Sequence, residues 1–128
     1  MSEPNWVGRE VLLAIKEELL NRFGGLAGIR DEGRLDFAIY KTKPLYADGK
    51  PPIFELAASN ASGLVKNHPF LDGNKRIGFM ATYVFLRVNG WNLQASEEEV
   101  VLETIALAAG ETTEVDYAAW LAKNSVAA

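Results

Sequence analysis

The sequence predicts an all-α fold of about six helices, formed by a single compact domain that spans residues 1–128. Apolar residues recur at helical spacing along most of the chain, no segment alternates with a period of two for long enough to form a core strand, and no internal repeat is visible. With 128 residues, 48% of them hydrophobic and 23% charged, the chain has the size and composition of one globular domain with a substantial core.

The first helix is predicted from Val7 to Arg22, because apolar side chains recur at three- and four-residue spacing and a pair of glycines follows. A shorter helix follows Asp31, whose carboxylate suits an N-cap, and must end before Pro44. The stretch from Lys43 to Pro52 combines an Asp-Gly turn signal with two adjacent prolines. We predict that it forms an exposed loop or small hairpin, and name it the flap.

Two long helices are expected to form the buried centre. Pro52 suits the first turn of a helix from Ile53 to Asn67, and the many small residues of that helix allow close packing. A second long helix is predicted from Asn74 to Val88, with Asn89-Gly90 ending it.

The last two predicted helices have recognisable starts. Ser96 and Glu99 fit a capping box that opens one helix, which Gly110 ends. The final helix is predicted to begin near Thr113 and to be followed by a frayed tail.

Composition excludes several classes of function. A net charge of −4 disfavours binding to nucleic acid through its phosphates. The absence of cysteine excludes disulfides, thiolate zinc sites and cysteine nucleophiles, and a single histidine excludes a multi-histidine metal site. The chain opens without a basic segment followed by an apolar stretch, and no apolar run approaches the roughly 20 residues that span a bilayer. We therefore expect a cytoplasmic protein with no nucleic-acid or membrane partner.

A nine-residue stretch at 68–76, HPFLDGNKR, does not look like ordinary packing. It holds the only histidine, an acid, a glycine and two adjacent cations, and its glycine lies at the start of a predicted helix. The first N–H groups of a helix have no intrahelical partner, so the backbone there can bind a phosphate, and two cations in the first turn add positive charge. We predict an anion site formed by Gly73, Asn74, Lys75 and Arg76.

The charge distribution agrees with this prediction. Residues 1–76 hold eleven basic and ten acidic side chains, whereas residues 77–128 hold two and seven. The net negative charge therefore lies after the motif, and it does not exclude a small anion from the motif itself.

Asp72 and His68 complete the predicted chemistry. A carboxylate beside a phosphate is repulsive unless a cation lies between them, and Mg²⁺ prefers one or two carboxylates together with phosphate oxygens and water. Histidine exchanges protons near neutral pH, so His68 is placed to accept the proton of a hydroxyl that attacks the phosphate. Each residue alone has an ordinary structural explanation, as a loop histidine, an N-cap or a solvated cation. Their combination favours a functional site.

The motif resembles the signature of the Fic/Doc superfamily, which runs His, any residue, Phe, any residue, Asp or Glu, Gly or Ala, Asn, Gly or Lys, Arg. Every defining position is filled at 68–76. The segment from Gly28 to Leu35, the helix into Asn67-His68 and the run from Phe85 to Gly90 also resemble the Doc (death-on-curing) toxin branch. The resemblance implies an all-α fold in which the motif joins two central helices.

For the activity, the resemblance implies ATP and Mg²⁺ and the transfer of part of ATP to a hydroxyl of a target protein. By position, His68 would be the general base, Asp72 the Mg²⁺ ligand, residues 73–75 the anion-binding nest and Arg76 a phosphate contact. The flap would align the target segment by backbone pairing.

Two positions depart from the AMP-transferring Fic pattern. Those enzymes usually have Gly where this chain has Lys75, and a second Arg where it has Phe79. Both differences match the Doc branch, in which the γ-phosphate of ATP faces the histidine. The resemblance therefore implies a toxin kinase that phosphorylates a Ser or Thr of a translation factor, with elongation factor Tu the expected target, and arrests translation.

Two alternatives stay open: a Fic-type transferase that moves AMP to a protein hydroxyl, and a non-catalytic domain that binds a nucleotide or a partner. The Ser or Thr, three residues, Glu and Gly or Asn stretch of self-restraining Fic proteins does not occur. The resemblance thus implies control by a cognate antitoxin, whose disordered tail folds as a helix into a groove of this domain.

Overall fold

The computed structural model describes residues 3–49 and 51–128. Within them it has seven helices and a two-stranded sheet, so the predicted all-α fold is confirmed. None of the helices in these two ranges combines the length and apolar character that a membrane span requires. In chain order the elements are α1 Arg9–Phe23, α2 Glu32–Tyr40, α3 Thr42–Gly49, α4 Ile53–Asn67, α5 Asn74–Val88, β1 Trp91–Leu93, α6 Glu97–Ala109, α7 Glu114–Lys123 and β2 Ser125–Ala127.

The packed pair α4 and α5 forms the centre of the fold, and both helices have the predicted bounds. Every residue of α4 from Leu56 to Val65 is buried, since α5, α7 and α2 pack around it. Gly78 on α5 permits the close approach. A Cβ built there would lie 2.6 Å from Val65 Cγ1 and 3.6 Å from the Ala61 carbonyl oxygen.

Side-chain caps fix the starts of α2, α6 and α7, and the caps of α2 and α6 were predicted. The Glu99 carboxylate, predicted to complete a capping box at α6, instead accepts a hydrogen bond from the Trp120 indole at 3.4 Å. Gly110 ends α6 in the left-handed conformation, as its place in the sequence predicts. The capping side chains each accept a backbone N–H: Asp31 from Arg34 at 3.0 Å, Ser96 from Glu99 at 3.1 Å, and Thr113 from Asp116 at 3.0 Å.

The prediction of a loop or hairpin for the flap was wrong over residues 43–49, which belong to α3. Pro44 falls in the first turn of this helix, where a missing N–H breaks no intrahelical bond, and Gly49 ends the helix instead of making a hairpin turn. Because a helix pairs its backbone groups internally, α3 does not offer a strand edge to a target segment. Lys50, also part of the predicted flap, lies outside the described residues.

Aromatic contacts attach α3 to the centre of the fold. The ring of Tyr46 meets the Trp6 indole edge-on, with centroids 5.8 Å apart. That indole stacks on Phe85 of α5 at 6.1 Å. The segment before α1 therefore links α3 to α5.

The C-terminal tail is paired, contrary to the expectation that it frays. Strand β2 runs antiparallel to β1, with Asn92 opposite Val126. Trp91 also packs edge-on against Phe54 of α4, with ring centroids 5.1 Å apart. Strands of three residues carry too little alternation to be recognised in the sequence.

Gly78→Ala is expected to destabilise the protein by about 1–3 kcal/mol, the usual cost of overpacking a core, because the new methyl collides with Val65. Alanine has a better helix propensity than glycine, worth about 1 kcal/mol, and this gain offsets part of the loss. Urea unfolding measures the change. Gly49→Ala is the control, since a Cβ there meets nothing within 4 Å.

Val65→Ala removes the methyl group that collides with the new Cβ. The double variant should therefore be more stable than the sum of the two single losses predicts. An unfolding midpoint for Gly78→Ala that equals or exceeds that of Gly49→Ala would contradict the close approach of α4 and α5.

Candidate active site

The HPFLDGNKR stretch forms the turn between α4 and α5. His68 ends α4 in the left-handed conformation, with φ 48° and ψ 58°, and Gly73 opens α5 with φ 75°. Among residues 3–49 and 51–128, His68 is the one non-glycine residue with positive φ. This conformation costs on the order of 1–2 kcal/mol for a residue with a Cβ, so the surrounding contacts must hold the turn in place.

Asn74 closes the turn from inside. Its side-chain carbonyl accepts the Phe70 N–H at 3.0 Å, and its side-chain amide donates to the Phe70 carbonyl at 3.0 Å. Both ends of this side chain are engaged within the protein, so the backbone N–H of Asn74 is the donor that the predicted anion site would use.

The segment before α2 braces the outside of the turn. Ile29 and Phe70 form an antiparallel bridge, and the Arg30 N–H donates to the Pro69 carbonyl at 2.7 Å. Phe70 is 1% exposed and anchors the turn in the core. This pairing gives the segment at 28–33, which was recognised by resemblance, a physical role in holding the motif.

The side chains predicted to carry the chemistry are exposed: His68, Asp72, Lys75 and Arg76 all reach solvent. No side chain caps the N-terminus of α5. Two cations in the first turn are unfavourable at the positive end of the helix dipole, and a bound anion offsets that repulsion. The Arg76 guanidinium lies 4.3 Å from the centroid of the Phe23 ring, a cation–π contact with the end of α1.

Asp72 lies between the N-terminus of α5 and the segment after α1. Its Oδ1 accepts the Gly73 N–H at 2.8 Å, and its Oδ2 lies 3.4 Å from the Leu26 nitrogen. A Cβ built on Gly25 would lie 2.7 Å from Oδ2, so a side chain there would displace the carboxylate from this position. Within the described residues there is no group of three or more His, Cys, Asp or Glu that could hold a metal ion. One exposed carboxylate suits Mg²⁺ only when phosphate oxygens and water complete its shell.

Lys16, a residue of α1, was not predicted to belong to the site. It is only 7% exposed, and its ammonium donates to the main-chain carbonyl of Asp72 at 2.5 Å. The same nitrogen lies 5.6 Å from the centroid of the Phe70 ring. The available signal was its place four residues after Leu12, on the apolar face of the helix, where a lysine is unusual.

The model of the Fic/DOC family matches residues 6–86, a range that contains the motif at 68–76. The chain belongs to the Fic/DOC family. The family match runs from the segment before α1 into the last turn of α5, so α6, α7 and the small sheet lie outside it.

Two relatives place this Fic/DOC protein near the Doc branch, and the predicted resemblance is confirmed. A protein named Toxin Doc from Mycolicibacterium smegmatis is 37% identical over 75 residues, which cover 57% of this chain and 58% of that protein. A protein named Protein kinase doc from Escherichia phage P1 is 32% identical over 106 residues, which cover 82% of this chain and 83% of that protein.

Asn74→Ala is expected to destabilise the protein by about 1–3 kcal/mol, because it leaves the N–H and the carbonyl of Phe70 buried without partners. Urea unfolding measures the loss, and hydrogen exchange of the Phe70 amide should become faster. Asn67→Ala is the control, because the Asn67 amide makes a single bond to the Gly63 carbonyl within α4. Equal losses in the two variants, with unchanged exchange at Phe70, would contradict the role given to Asn74.

Proposed function

We propose that the chain is a Doc-type toxin that acts as an ATP-dependent protein kinase and transfers the γ-phosphoryl group to a Ser or Thr hydroxyl of a translation factor. One observation carries the proposal. An exposed histidine ends α4 five residues before the uncapped, cationic N-terminus of α5. The name of the phage P1 relative, Protein kinase doc, supports the reaction type.

His68 is the proposed general base. An imidazole nitrogen of His68 takes the proton of the target hydroxyl as that oxygen bonds to the γ-phosphorus and the bond to ADP breaks. The exposure of His68 then lets the proton leave to solvent. The fixed backbone around this residue holds the base in place during the transfer, which favours a reaction that depends mainly on positioning.

The N-terminus of α5 is the proposed phosphate site. The backbone N–H groups of Asn74 and Lys75, together with the Arg76 guanidinium, offer donors and positive charge to phosphate oxygens. The Gly73 N–H, which donates to Asp72 Oδ1 at 2.8 Å, would join them when that carboxylate turns to Mg²⁺. ATP would supply the phosphoryl group, and Mg²⁺ held by Asp72 would neutralise part of the phosphate charge.

Lys75 and Phe79 favour γ-phosphoryl transfer over AMP transfer. The side chain at 75 adds bulk and charge where AMP-transferring relatives have Gly, which leaves less room for an esterified phosphate. Phe79 stands where those relatives have a second Arg, and it packs beside Tyr83 with ring centroids 6.4 Å apart. A half-buried aromatic ring at this position cannot replace the charge of that arginine.

The proposed target is elongation factor Tu, and the proposed place of reaction is the cytoplasm, where translation occurs. A target segment would have to be aligned by surfaces other than the flap, because α3 is helical. The name Toxin Doc of one relative supports control by a cognate antitoxin.

The proposed antitoxin site is a groove between α1 and α5, of about 420 Å³. Its floor is apolar, and two carboxylates lie along its edge. Such a groove fits the apolar face of a helix with basic flanks, formed when a disordered tail folds on binding. The lining residues are Glu10, Val11, Ala14, Ile15, Glu18, Leu19 and Met80.

Purified protein incubated with elongation factor Tu should transfer label from γ-labelled ATP and none from α-labelled ATP. His68→Ala should reduce the transfer by about 10²–10⁴-fold, the usual contribution of a general base, with an unchanged unfolding midpoint. Lys66→Ala is the control, since Lys66 is an exposed residue of α4 two positions away. Label arriving from the α position alone would establish AMP transfer instead, and undiminished transfer by His68→Ala would exclude His68 as the base.

Val11→Arg should weaken binding of the antitoxin tail by about tenfold or more, since it places a long cation on an apolar groove floor at the centre of the interface. Folding should be unaffected because Val11 is 41% exposed. Calorimetry with the antitoxin tail measures the affinity. Val101→Arg, at a residue of α6 that is 50% exposed, is the control. A loss of affinity in Val101→Arg alone would move the antitoxin site to α6.

A further inference from the structure

Lys16 reaches the candidate active site from beneath, although it lies more than 50 residues before the motif. We propose that Lys16 is a positioning residue: it fixes the peptide between Asp72 and Gly73 so that the N-terminus of α5 faces the phosphate. The effect on nucleotide binding rests on the proposed function, whereas the effect on the peptide does not.

The Lys16 ammonium lies in an unusual setting for a charged group. The side chain is 7% exposed, and in the described parts of the chain no carboxylate oxygen comes within 4.0 Å of its nitrogen. Its partners are the Asp72 carbonyl at 2.5 Å and the face of the Phe70 ring. A buried cation that is not part of an ion pair is costly. Because no carboxylate neutralises the Lys16 ammonium, its charge acts on the groups nearby.

Lys16 holds the peptide between Asp72 and Gly73 in one orientation. The carbonyl and the N–H of a trans peptide point in opposite directions. Because Lys16 holds the Asp72 carbonyl inward, the Gly73 N–H points outward, where it donates to Asp72 Oδ1 at 2.8 Å. Gly73 adopts φ 75°, and a glycine there leaves the preceding peptide free to rotate unless a contact selects one orientation.

The Lys16 ammonium lies close to the N-terminus of α5. A Cβ built on Gly73 would lie 3.3 Å from the Lys16 nitrogen, so the ammonium lies directly against the first residue before α5. A fixed positive charge at the positive end of the helix dipole favours an anion outside it. Lys16 therefore sets both the direction of an N–H donor and the local potential, without touching the reacting atoms.

Lys16→Met removes the ammonium and keeps the length of the side chain. We expect a displaced Gly73 amide resonance in ¹H–¹⁵N spectra, together with an affinity for ADP and Mg²⁺ that is about tenfold weaker by calorimetry. Lys16→Arg, which restores a buried cation and donor, should recover most of the affinity. Lys16→Gln gives a second neutral variant, with the same expected direction, for the case in which Lys16→Met does not fold.

Lys41→Met is the matched control. The Lys41 side chain is half-buried and, like that of Lys16, lies near a main-chain carbonyl, that of Ser59 at 3.4 Å, but it pairs with Glu114 and lies away from the motif. This variant should be less stable than the wild type, with an unchanged Gly73 resonance and unchanged ADP affinity.

Two results would overturn the proposal: a Gly73 resonance that is the same in the neutral Lys16 variants as in the wild type, or an equal loss of ADP affinity in Lys41→Met. Failure of the proposed function would look different. A wild-type protein that binds no ADP, with the Gly73 resonance still displaced by Lys16→Met, would overturn the kinase proposal and support the positioning of the peptide by Lys16.

Discussion

The close contact of α4 with α5 is the constraint on which the rest of the structure depends. Gly78 leaves no room for a side chain against Val65, so the start of α5 packs directly on the end of α4. The chain must then reverse direction within residues 68–73. A turn this short puts a residue with a Cβ into the left-handed conformation and leaves the start of α5 without a capping side chain. Both features of the candidate site follow from packing in the core.

Three separate contacts hold this turn. Asn74 engages the backbone of Phe70 from inside, the segment before α2 pairs with Pro69 from outside, and Lys16 engages Asp72 from beneath. Strained conformations persist only where neighbouring contacts determine them, and such places are often functional. The interior contacts use the buried side chains and leave the exposed ones available for ligands. Within this short segment, buried residues therefore hold the turn in place, and exposed residues are left to bind ligands and react.

Local signals in the sequence predicted much of the fold, and the failures have physical causes. Pro52 and Asn89-Gly90 correctly marked ends of α4 and α5, because caps and stops depend on neighbouring residues. The flap was mistaken because an Asp-Gly pair ends a helix as readily as it makes a hairpin turn. The pairing of the tail with β1 joins segments that lie more than 30 residues apart. No local pattern encodes such a contact.

In the candidate site, too, local features could be predicted from the sequence and contacts between distant segments could not. The motif at 68–76 could be found from the sequence because its residues are consecutive. The role of Lys16 could not be found, because it depends on how α1 packs across the turn. The internal engagement of Asn74 was also invisible, since an asparagine side chain serves equally well to bind a ligand or a backbone.

In the proposed function, the N-terminus of α5 binds the phosphates of a nucleotide. A titration of ¹⁵N-labelled protein with ADP and Mg²⁺, followed by ¹H–¹⁵N spectroscopy, tests it residue by residue. The account predicts saturable shifts that are largest at the amides of residues 73–76, with a smaller response at His68. Largest shifts on α6 or in the groove between α1 and α5, with residues 73–76 unmoved, would contradict it.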